Sequence, residues 1–176
     1  MSRFTTAFLD RDGTLNVKAA EGAYVTAPEE MRLLPGAGQA VRRLNDAGVF
    51  VVLVTNQRGI ARGLFTEADY AAVTERLVEQ LAEEGAVLDA IYVCPHENDA
   101  CDCRKPAPGM LLQAAREHPA VDLAGAVMVG DSEADVTAGA AAGAATIRIA
   151  AAEVATGADA VVPDLDNAVS WILGRP

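Results

Sequence analysis

Asp10 and Asp12 stand two residues apart where an apolar run beginning at Phe4 stops, and Gly13 and Thr14 follow directly. Two carboxylates that close repel each other. They read as a solvated acidic turn, as a pair held by a cation, or as a nucleophile with a proton-transfer partner. A carboxylate can attack an electrophilic centre, and a second carboxyl group on the same turn is near enough to relay a proton. Gly13 lets the chain leave the strand through a backbone conformation that other residues resist, and Thr14 adds a hydroxyl.

Further polar groups close later apolar runs. Thr55-Asn56-Gln57 ends Val49–Val54 with three hydrogen-bonding side chains, all three expected to contact substrate, and Asp131, Ser132 and Asp135 follow Ala126–Gly130. Arg104 and Lys105 are two cations between a loop and a helix start. A lysine offers a compact charge to a phosphoryl oxygen, neutralising both the attacking group and the group transferred.

Cys94, His96, Cys101 and Cys103 lie within ten positions, and the chain has only one other histidine, His118. Three thiolates and an imidazole at this spacing can close a tetrahedral zinc site, the alternatives being a redox pair or chance clustering. The use of every cysteine favours structural Zn2+, with no open position for catalysis. Its job would be to fix a loop, 94–103, that delivers Arg104 and Lys105. His118 lacks comparable partners and reads as a helix-end residue.

These groups need a scaffold. At 176 residues, 51% hydrophobic, the chain fits one compact domain, 1–176, with a sizeable core. It contains no apolar run of about 18 residues that could span a membrane. Met1–Thr5 lack the long apolar stretch of a secretory signal, so a cytoplasmic location is expected. A formal charge of −11 opposes nucleic acid and anionic membranes, leaving a small molecule as the expected partner and a monomer as the expected state.

Val49–Val54 is a continuous β-branched run, as in a parallel strand covered on both faces. Shorter runs at Phe4–Leu9, Ala90–Val93, Ala126–Val129, Thr146–Ile149 and Val161–Val162 complete a sheet. Between them, Ala37, Ala40, Val41 and Leu44 recur at helical spacing before Gly48. Thr66 with Asp69 forms a carboxylate capping box ahead of the stripe Tyr70, Val73, Leu77 and Leu81. Pro108 opens a helix with Met110 and Leu111, Ser132 caps an alanine-rich one ending at Gly143, and Asp164 starts the last, anchored by Trp171. Alternating strands and helices predict a three-layer α/β/α Rossmann-like fold with a parallel sheet. Asp10, Thr55, Lys105 and Asp131 then meet at the strand C-termini, bordered by the long polar connection Asn16–Pro35.

Asp-x-Asp-Gly-Thr, the Thr55 strand end, Lys105 and Gly130-Asp131 together resemble the four motifs of the haloacid dehalogenase-like phosphatases. The resemblance implies that Asp10 attacks phosphorus to give an aspartyl-phosphate, while Asp12 protonates the leaving alcohol and then activates water. It also implies that Thr55 binds a phosphate oxygen, that Arg104 helps hold substrate, and that Lys105 neutralises the phosphoryl group. Mg2+ would be held by the carboxylates of Asp10 and Asp131 and the main-chain carbonyl of Asp12. Asp135 would stand behind them as a partner of Lys105, or serve as a charge at the helix start. Cys-Pro-His and Cys-Asp-Cys-Arg-Lys-Pro are similar to the zinc-containing branch, which acts without a cap domain. That branch implies loss of the 7-phosphate from a heptose 1,7-bisphosphate, with histidinol phosphate or another small sugar phosphate as the alternative. A phosphate-binding regulator is disfavoured by the presence of both Asp10 and Asp12. Gly-Ile-Ala-Arg-Gly at 59–63 favours the heptose substrate, and Lys18–Glu21 is extra length in a substrate-facing loop.

Overall fold

The computed structural model describes residues 4–174; Met1–Arg3 of the opening segment lie outside the described residues. Six strands form one sheet: β1 (Thr6–Leu9), β2 (Phe50–Asn56), β3 (Ala90–Cys94), β4 (Ala126–Gly130), β5 (Ala145–Ile149) and β6 (Ala160–Val162). Their order is β3-β2-β1-β4-β5-β6, and every pairing is parallel. The helices are α1 (Ala37–Asp46), α2 (Glu67–Glu83), α3 (Gly109–Glu117), α4 (Glu133–Ala142) and α5 (Leu165–Ile172).

Side chains on a strand point alternately to opposite faces, so each strand feeds two cores. Leu9, Leu53 and Val129 pack with Leu44 of α1, Leu77 of α2 and Val169 of α5. Phe8, Val52, Val54 and Met128 pack on the other face against Met110 and Leu111 of α3, where α4 also lies close enough that a Cβ on Gly139 would meet Met128. This gives three layers. β1 has only four residues, but all are buried, and it is paired on both sides, Leu9 opposite Leu53 and Val129. The residues that follow β1, β2 and β4 therefore emerge side by side.

The capping box of α2 forms as the sequence predicts, with Thr66 accepting from Asp69, and Ser132 caps α4 as expected, where Asp135 completes a second box. Trp171 stacks on Phe4 with ring centroids 5.4 Å apart. Several boundaries move. β1 begins at Thr6 and β2 at Phe50, and β2 runs on through Thr55 and Asn56, and β3 through Cys94, because Thr55 pairs with Val93 and Asn56 with Cys94 across the ladder. Pro108 stands at the cap of α3 rather than inside it, and His118 ends that helix beside Phe50, 5.3 Å between rings.

The connection after β1 is held at its base. Asn16 bridges both Asp12 and Leu33, the Val17 N–H donates to Arg32 O at 2.8 Å, and the Leu34 N–H donates to Leu15 O at 2.9 Å. Val25 and Met31 are buried, whereas residues 20–23 at the tip are exposed. Apart from one 3-10 turn, Pro28–Glu30, this connection has no regular structure, and no cap folds over the strand ends from it.

Candidate active site

A cleft of about 270 Å³ opens over the C-terminal ends of the central strands, and its walls include Asp10, Asp12, Asn56, Lys105, Asp131 and Asp135. Its floor is a buried charge cluster. Lys105, 3% exposed, places Nζ 2.7 Å from Asp10 Oδ1, 2.7 Å from Asp135 Oδ1 and 2.8 Å from Val54 O. All three ammonium hydrogens thus have acceptors. Burial acts to lower the Lys105 pKa, but the charges of Asp10 and Asp135 outweigh it and hold the side chain protonated above its ordinary value. Burial likewise pushes the Asp10 carboxyl upward, against the pull of Lys105, with Asp135 and Asp12 adding to the rise.

Lys105 is aimed by its own main chain. Asn56 clamps it through Nδ2 to Lys105 O at 2.9 Å and through Oδ1, which accepts the Lys105 N–H at 3.1 Å. Asp135 reaches Lys105 with one oxygen, while the other accepts from the Ser132 hydroxyl at 2.6 Å and main-chain N–H at 3.1 Å. One carboxylate therefore both caps α4 and anchors the buried lysine, so the two readings of Asp135 from sequence hold together.

Asp12 is held apart from this cluster. Oδ1 accepts from Arg11 and from Asn16 Nδ2 at 3.0 Å, and Oδ2 accepts from Gln57 Nε2 at 3.0 Å. Gln57 is itself tied to the Thr55 hydroxyl at 2.9 Å. Thr55, Asn56 and Gln57, expected from sequence as substrate contacts, each have partners inside the protein; Asn56 alone of the three lines the cleft. Arg104 does not line it, facing an adjoining hollow with Asn98, Cys101 and Lys105.

The carboxylates of Asp10, Asp131 and Asp135 present oxygens within 4.8 Å of one another, a hard donor set of the kind Mg2+ takes. Gly13, at φ +84°, makes the approach of Asp131 to the first turn possible, since a Cβ there would lie 2.3 Å from Asp131 Oδ2. Lys18 from the following connection reaches the same oxygen at 2.8 Å. Sequence gave no sign of that contact, because it joins residues 113 apart through a loop without periodicity.

Cys94, His96, Cys101 and Cys103 also converge within 4.8 Å. Cys94 Sγ is 3.5 Å from Cys101 Sγ, Cys103 Sγ is 3.2 Å from Cys101 Sγ, and His96 Nδ1 is 3.2 Å from Cys103 Sγ. The cysteines are free thiols. A tetrahedron with metal–sulfur distances of about 2.3 Å has edges near ~3.8 Å, so the group fits a zinc ion after small adjustments. Gly109 seats this loop on α3, because a Cβ there would come within 2.1 Å of Asp102 O.

Residues 3–143 match the family of haloacid dehalogenase-like hydrolases. The D-glycero-beta-D-manno-heptose-1,7-bisphosphate 7-phosphatase of Escherichia coli K12 is 42% identical over 174 residues, 94% of this chain and 86% of that protein. Its counterpart from Bordetella bronchiseptica is 49% identical over 138 residues, 78% and 75% of the two chains. A crystal structure of the D,D-heptose 1,7-bisphosphate phosphatase from B. bronchiseptica, complexed with magnesium and phosphate, superposes with a TM-score of 0.86 at 40% identity, covering 97% of this chain and 98% of that one.

Proposed function

The chain belongs to the haloacid dehalogenase-like hydrolases, and from that premise we propose that it removes the 7-phosphate from D-glycero-D-manno-heptose 1,7-bisphosphate by way of an aspartyl-phosphate. The observation that carries the substrate is the 42% identity to a heptose bisphosphate phosphatase across 94% of this chain. The chemistry is supported by the joining of Asp10, Lys105 and Asp131 on one floor.

In this reading Asp10 forms a bond to phosphorus as the bond from phosphorus to the sugar O7 breaks, and the proton of the Asp12 carboxyl goes to O7. Water then attacks the phosphorus of the aspartyl-phosphate, its proton passing to Asp12, and Asp10 leaves as a free carboxylate. Lys105 offsets the charge of the nucleophile in both steps without leaving its three acceptors. Thr55 and Gln57 act behind Asp12, Asn56 orients Lys105, and Arg104 would reach the substrate from the adjoining hollow.

Asp10, Asp131 and the main-chain carbonyl of Asp12 would hold Mg2+, which supplies a hard positive charge to the phosphoryl oxygens when bound. Cys94, His96, Cys101 and Cys103 would hold Zn2+, which stiffens the loop leading into Arg104 and Lys105. The reading extends to a single domain over 1–176 that works as a monomer in the cytoplasm.

Phosphate release with Mg2+ from both anomers of the bisphosphate, beside histidinol phosphate, tests it. One heptose anomer should lead in kcat/KM by at least tenfold, about 1.4 kcal/mol of discrimination. A lead for histidinol phosphate overturns the substrate and keeps the mechanism, and the anomer preferred names the pathway served.

A further inference from the structure

Glu97, next after His96 on the cysteine-rich loop, is outside every element of the mechanism above. Its Oε1 accepts from Arg58 Nη1 at 3.1 Å and its Oε2 from Arg62 Nε at 2.9 Å. Both arginines sit on the turn after β2, and that turn is bonded to the same loop through the Gln57 N–H to Cys94 O at 2.8 Å and the Ala61 N–H to Pro95 O at 3.2 Å. Arg58 also lies within electrostatic reach of the Tyr24 hydroxyl, which helps raise its pKa. The Tyr24 ring leans on Phe65, 5.4 Å between centroids, over Gly59, where a Cβ would stand 2.3 Å from Phe65 and 3.1 Å from Tyr24. Tyr24 is a wall of the cleft.

Glu97 thus joins three segments that are distant in sequence: the metal-binding loop, the turn after β2, and the connection that walls the cleft. Its ion pairs are 44% exposed on the carboxylate side, and pairs so open to water contribute little to folding. What they do is restrict two long side chains that would otherwise sample many rotamers. Two guanidinium groups against one carboxylate also leave net positive charge beside the cleft, in a chain whose overall charge is −11.

We propose that Glu97 is a positioning residue: by holding Arg58, and through it Tyr24, it fixes the outer wall that receives the anionic end of the substrate remote from the reacting phosphate. The proposal rests on the phosphatase reading and adds to it a second task for the metal-binding loop, substrate affinity. The two arginines are the groups suited to the remote phosphate, and Tyr24 sets the width of the wall.

The test compares wild type, Glu97→Gln, Tyr24→Phe and the double variant on the heptose bisphosphate and on phenyl phosphate, which has no remote anion. Glu97→Gln should raise KM for the bisphosphate at least fivefold with kcat within twofold, and leave both constants for phenyl phosphate within twofold and zinc content unchanged. Tyr24→Phe should give a similar rise, and the double variant no more than either alone. A KM that is unchanged, or that falls because a negative charge has been removed from a positive rim, overturns the proposal. So does loss of zinc or of phenyl phosphate turnover, which would make Glu97 a structural part of the loop. Hydrogen exchange gives a readout that needs no activity: residues 18–25 should exchange faster in Glu97→Gln than in wild type, and equal rates refute the link. A wild type that releases no phosphate from either ester removes the phosphatase reading instead, and hydrogen exchange then still decides whether Glu97 holds the wall.

Discussion

Replacing Asp135 by Asn is the perturbation that most directly tests how the buried lysine is held. Lys105 has three acceptors, and Asp135 supplies one of its two charged partners at 2.7 Å. Removing one partner of a buried ion pair costs about 3–5 kcal/mol. Here Lys105 keeps Asp10 and Val54 O, and the repulsion between Asp10 and Asp135 is relieved, so the expected loss is smaller, about 2–3 kcal/mol. For a chain of this size that lowers Tm by roughly 4–12 °C. The asparagine oxygen can still cap α4, which separates the ion pair from the cap. Ser132→Ala removes the cap contact alone and should cost about 1 kcal/mol. Urea denaturation of the three proteins without added metal measures both losses. If Asp135→Asn costs no more than Ser132→Ala, the lysine does not depend on Asp135 and the account of the cluster fails.

Three further outcomes follow from the same geometry. Asp10→Asn should reduce phosphate release by at least about 10³-fold, roughly 4 kcal/mol in the barrier, with the far-UV circular dichroism spectrum unchanged; turnover near wild type would end the covalent mechanism. Cys103→Ser should lower bound zinc, read by mass spectrometry of the metals, and increase proteolytic cutting between residues 97 and 103; an unchanged zinc content removes the assignment. Burial and a 2.6 Å hydrogen bond to Glu117 raise Tyr92 to about 12. Because the folded state keeps this proton longer than the unfolded chain does, the associated stability is complete below the unfolded tyrosine value near ~10. It is lost as pH rises from there through about 12. The absorbance titration at 295 nm should lose its last component in Tyr92→Phe, and an identical curve would contradict the shift.

Part of the floor was legible in the sequence because Asp10 and Asp131 directly follow the apolar strands β1 and β4, and parallel strands deliver their C-terminal ends to one place. Asp135 follows Asp131 within the first turn of α4, whereas Lys105 lies in a loop before α3 and was placed by its match to the family motif; the capping box of α2 was readable from spacing alone. What lies around the floor was not. Arg11, between two aspartates, carries no local pattern that marks it as buried, yet it is 1% exposed and folded back onto Asp12. Thr55, Asn56 and Gln57 read as ligands because their side chains can bond a phosphate. Their actual partners, Lys105 for Asn56 and Asp12 for Gln57, come from loops distant in sequence, which no local pattern encodes. Lys18 and Glu97 lie in connections without periodicity, and their contacts depend on closures across 113 and up to 39 residues.

The connection after β1 separates what must stay fixed from what can vary. Its base is pinned by hydrogen bonds at Val17 and Leu34 and by the Asn16 bridges, so the turn carrying Asp10 and Asp12 does not feel what happens at the tip. Lengthening a flexible loop is cheap, about 0.6 kcal/mol for each doubling. Residues 19–24, beyond the Lys18 contact to Asp131, are therefore an exchangeable segment on a fixed base: insertions or deletions there would redraw which molecules fit while leaving the reaction itself in place. A library randomised in both length and composition at these six positions is the shortest experimental route from this scaffold to a phosphatase of different preference.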